Sequence, residues 1–143
     1  SETIFQTILL DPKTEEFILN LIRQDQLFDQ GINSLGVKLD TIGGDYSNAT
    51  IEGTSNFSGK KELGLPFDRI TLFNTGDFYE SFEINASKEQ ALFDANYIKD
   101  GVDLRERWGR NIVDLTEQNR QKVINVFEEL TIKAVEEVAN RAA

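Results

Sequence analysis

Residues 117–140 place apolar side chains at steps of three and four: Val123, Phe127, Leu130, Ala134 and Val138, widened by Ile124, Thr131 and Val135. That spacing gathers them on one side of an α-helix. Thr116 stands where an N-cap hydroxyl belongs. An amphipathic helix of this length must lie against another layer, so the rest of the chain has to supply one.

A second helix is expected over residues 11–30. Asp11 is a natural N-cap and Pro12 suits the first helical position, where its missing N–H costs nothing. Glu15 and Glu16 favour the positive end of the dipole. Phe17, Ile18, Leu21, Ile22 and Phe28 form the apolar face, with Leu10 as a hydrophobic staple and Gly31 as the C′ residue. Residues 31–68 are rich in Gly, Asn, Ser, Thr and Asp and read as a long loop or hairpin insert, with one short strand near Val37–Asp40. Arg69–Asn74, Phe82–Ile84 and Ala91–Ala95 are strand candidates, expected to join as an antiparallel meander. Asp103–Trp108 reads as a short helix stopped by Gly109. The expected fold is α+β in one domain over residues 1–143: a small antiparallel sheet packed by an N-terminal helix and the long C-terminal one.

Composition narrows the chemistry. The 143 residues contain no Cys and no His. Disulfides, thiolate metal sites and His-based catalytic triads are therefore excluded. A metal site would have to be built from carboxylates alone. The net charge of −10 disfavours a surface that grips phosphates and suits an acidic, solubilised one. No basic run precedes a long apolar stretch, and no window approaches 18 apolar residues, so neither a signal peptide nor a membrane span is expected. A first residue of Ser fits removal of an initiator Met.

Several segments invite functional readings. Gly53–Lys61 (GTSNFSGKK) superficially resembles a phosphate loop. Five residues rather than four separate its glycines, though, and Lys61 stands where Ser or Thr should bind Mg, so a plain loop is expected. Asp77, Glu80 and Glu83 could act as paired acids, or simply solvate the edge of a turn. Asn48, Asn56 and Asn85 each begin an N-x-S/T triplet, which means little without a secretory signal. Arg105, Arg107 and Arg110 bracket Trp108, a combination that can bind single-stranded nucleic acid or phosphate but, diluted by Asp103 and Glu106, reads rather as an interface or packing cluster.

The most distinctive stretch is ITLFNTGDFYESFEI, Ile70 to Ile84. Gly76 permits a positive φ or a close approach, and the Thr75 hydroxyl can cap the turn that follows. Phe78 and Phe82 lie one helical turn apart, so a single turn can anchor both rings in a core.

Leu72 to Phe82 resembles the L-x-x-TG-x-L-x-x-S core of tailed-phage virion-morphogenesis and tail-completion proteins. Thr75, Gly76, Phe78, Ser81 and Phe82 carry the match, and Leu104–Gly109 follows at a comparable distance. Asn111–Glu117 and the helix behind it resemble structural proteins of gut-bacterial phages, crAss-like phages included. Asp77 stands where many members carry Arg. The resemblance implies a virion structural protein without enzymatic activity or cofactor. It also implies a homo-oligomeric ring at the head–tail junction, a connector, neck or tail-completion subunit that contacts portal, neck or tail proteins. Such a protein would be assembled in the bacterial cytoplasm, and DNA would pass it without being specifically bound. The alternative is an intracellular binding or regulatory module using Trp108 and its arginines.

Overall fold

The computed structural model describes residues 2–142 and has an α+β fold. Helix α1 (Ile4–Leu10) was not expected. It is opened by a capping box in which the Thr3 hydroxyl accepts from the Gln6 amide and Gln6 Oε1 accepts from the Thr3 amide. Asp11 then caps α2 (Pro12–Asn20), its carboxylate accepting from the Lys13 amide at 2.9 Å.

From Leu21 to Gln30 the same rod continues as a π-helix, ended by Gly31 at φ 64°. Side-chain pairs follow the i→i+5 register: Gln24 donates to Asp29 at 3.0 Å and Gln30 to Asp25 at 3.2 Å. Ile18 and Ile22 of the expected face are buried, and Gln26 and Leu27 join them. Phe17, Leu21 and Phe28, assigned to the core by α spacing, are only half-buried. Leu10 is 50% exposed and does not act as a staple.

The 31–68 segment is tied closely to the body. An isolated bridge pairs Ile32 with Lys38 in place of the expected strand, and two short helices follow, α3 (Asp40–Gly43) and α4 (Asn48–Glu52). Leu39 is fully buried and Lys60 is nearly so. After α5 (Asp77–Glu80), β1 (Glu83–Ala86) pairs antiparallel with β2 (Ala91–Asp94), Glu83 opposite Asp94. β3 (Ile98–Lys99) and β4 (Val102–Asp103) form a second, separate hairpin around Asp100-Gly101. The expected meander is therefore two two-stranded hairpins. α6 (Leu104–Trp108) and α7 (Glu117–Ala142) complete the chain.

The expected strand at Arg69–Asn74 does not form. Leu72 has φ 59°, which no strand accommodates, and side chains replace the ladder. Tyr46 Oη accepts from the amides of Thr71 (3.0 Å) and Leu72 (3.3 Å). Tyr79 Oη donates to the Thr71 carbonyl, and Lys60 Nζ donates to the Phe73 carbonyl at 2.6 Å. Buried backbone groups must find partners, and here the partners come from three distant segments.

α1 is held between the first hairpin and α7. The Phe5 and Phe127 rings stand 5.4 Å apart, and Thr3 Oγ1 donates to the Lys88 carbonyl at 3.2 Å. A buried amide network fixes the start of α7. Gln26 Oε1 accepts from Thr116 N and Asn119 Nδ2, both at 2.9 Å, while Gln26 Nε2 donates to the Asp114 carbonyl at 2.7 Å. No helix among the described residues is long and apolar enough to cross a membrane.

Candidate functional site

The Thr-Gly motif is architectural. Gly76 caps α5 at φ 92°, a conformation that favours glycine. Thr75 Oγ1 accepts from the Asp77 amide at 3.4 Å. Phe78 and Phe82 are buried with their rings 4.9 Å apart, edge to face. Ser81 Oγ donates to the Phe78 carbonyl at 2.6 Å and accepts from the Asn96 amide at 2.9 Å, which ties the turn to the link between the two hairpins. Asp77, Glu80 and Glu83 are exposed around this turn. Among the described residues, no group of three or more acidic side chains could hold a metal ion.

The basic segment separates into different roles. Arg105 forks onto Asp103 (2.7 Å) and lies over the Tyr97 ring. The hydrogen bond from Arg105 holds the Asp103 carboxyl below its ordinary range. Arg107 donates to the carbonyls of Gly43 (2.9 Å) and Asp45 (3.2 Å) and stacks on Trp108. Trp108 is 4% exposed. A Cβ on Gly43 would lie 2.6 Å from its ring, so this glycine makes room for the indole. Arg110 is exposed, and Gly109 ends α6 at φ 85°. Trp108 is thus a core residue, and Glu106, Arg107 and Arg110 are the exposed side chains around it.

The glycines of the 53–61 loop serve close backbone packing. A Cβ on Gly59 would fall 2.3 Å from both the Gly53 nitrogen and the Ile51 oxygen. Their spacing reflects one backbone crossing another, and it delivers Lys60 to the Phe73 carbonyl and the Tyr46 ring.

The feature left largely uncovered is the outer half of α7. Over 26 residues the whole helix runs about 39 Å, whereas α1 covers only about 10 Å with seven residues. Val123, Phe127, Leu130 and Ala134 are half-buried. Beside them a second seam, Ile124, Glu128, Thr131, Val135, Val138 and Ala142, steps by four and three in regular alternation, the spacing by which helices pair. Val138, expected in the core, is 61% exposed, and Val135 and Ile132 are 52% and 58% exposed. The seam opens into a groove of 820 Å³ walled by Phe5, Leu9, Phe93, Leu115 and Phe127. The sequence pattern located the stripe; the groove depends on α1 and the first hairpin coming together, which spacing alone cannot show. No family model, no curated protein and no solved structure matches the chain.

Proposed function

We propose that this protein is a non-enzymatic structural subunit of a tailed-phage virion. In this reading it forms a homo-oligomeric ring at the head–tail junction and contacts neighbouring portal, neck or tail proteins. The observation that carries the assembly role is the outer half of α7, where Ile132, Val135 and Val138 are exposed on a helix that extends well past the element it packs on. Contiguous exposed apolar surface beside a groove marks an interaction site. The phage setting rests on the motif from Leu72 to Phe82 and the segments behind it. The net charge of −10 fits a channel wall past which DNA slides unbound. A binding module anchored on Trp108 is the weaker reading, because the indole is buried.

Quantitative mass spectrometry of gradient-purified particles tests the proposal in the phage whose genome carries the gene. The expected result is several copies per virion, with unjoined heads and tails when the gene is deleted. Absence from the particle, with joined and infectious virions after deletion, overturns it.

A further inference from the structure

We infer that the groove beside α7 receives the C-terminal segment of α7, residues 132–142, from a second copy of this chain. The inference rests on the assembly reading above and adds to it the identity of the contact.

Three observations point to this occupant. The first is size. Two turns of a helix about 10 Å across fill roughly 850 Å³, and the groove holds 820 Å³, so it takes about two of the three turns of the segment. The second is pattern. The seam residues at the groove, Ile124, Glu128 and Thr131, continue in the same alternating steps into the apolar Val135, Val138 and Ala142 beyond it. One seam thus offers both halves of a helix–helix contact. The third is charge. The groove rim carries Glu89, Asp114 and Glu128 against Arg120. In the segment 132–142, the positions flanking the seam are Ile132, Ala134, Ala139 and Arg141. Glu136 and Glu137 fall on the opposite side by helical spacing. Arg141 is therefore the one charge the segment brings to an acidic rim, and the other flanking residues are apolar.

The absence of cysteine provides a clean test. Gln90, exposed at the groove, and Val138, exposed on the segment, are replaced as Gln90→Cys and Val138→Cys, singly and together. The full-length variants are treated with a short bis-maleimide, and their masses are measured by mass photometry without the reagent. Efficient cross-linking between chains only in the double variant supports the inference. Adding Val135→Asp should then lower its yield by about tenfold or more. A ladder of trimers and higher species fits head-to-tail seating around a ring. Cross-linked dimers alone keep the seating but contradict the ring. Oligomers that form without this cross-link overturn the seating and leave the assembly reading intact, and monomers without cross-links overturn both.

Discussion

Tyr79 shows how single side chains hold an irregular core together. Its hydroxyl satisfies the Thr71 carbonyl where no strand is available, and burial pushes its phenol above the ordinary tyrosine range. Tyr97 is shifted the same way, again mainly by burial. An unfolded tyrosine titrates near pH 10. The raised folded value means this contribution to stability is complete below about pH 10 and declines as the pH rises further. Tyr79→Phe should cost about 1–2 kcal/mol at pH 7, because the Thr71 carbonyl loses its partner. It should also flatten the alkaline decline. Urea midpoints measured from pH 8 to 11.5 check both, and an unchanged alkaline slope in the variant would contradict the assignment. Gly76 and Gly59 could be singled out from the sequence because glycine spacing is visible there. The positive φ of Leu72 could not, since the groups that bond the 71–73 backbone, Tyr46, Lys60 and Tyr79, lie elsewhere in the chain.

Among the elements, those whose cause is local were readable. Asp11 and Pro12 announced α2, Gly31 ended its π-helical continuation, and Thr116 announced α7. Two further local signals stand in the sequence: Thr3-x-x-Gln6 as a capping box, and Asp100-Gly101 as a two-residue hairpin turn. The π register was not readable, because the apolar spacing of residues 17–28 fits an α-helix as well. What fixes that region is the long-range Gln26 network, which also places α7. Gln26→Leu keeps the volume but strands the Thr116 amide and the Asp114 carbonyl, while Asn119 keeps its bond to Asp25. It should cost about 2–4 kcal/mol and speed amide exchange in the first turn of α7 more than in α2. Equal protection of both helices in the variant would show that the network does not anchor α7.

At the scale of the molecule, the central hydrophobic cluster draws on residues between Leu19 and Leu115, and the outer half of α7 carries its apolar residues on the surface. Assembly must overcome repulsion between chains of charge −10, which salt screens within about 8 Å at physiological ionic strength. The central claim is that the open seam of α7 exists to join copies of this chain. Sedimentation velocity in 0.15 M salt, over a concentration series, compares the wild type with Val135→Asp/Val138→Asp. Both valines are exposed, so the double variant should keep its circular dichroism spectrum and its stability within about 0.5 kcal/mol per site. The account predicts that the wild type sediments as an oligomer and the variant as a folded monomer. A wild type that stays monomeric throughout, or a variant that assembles equally well, would contradict it.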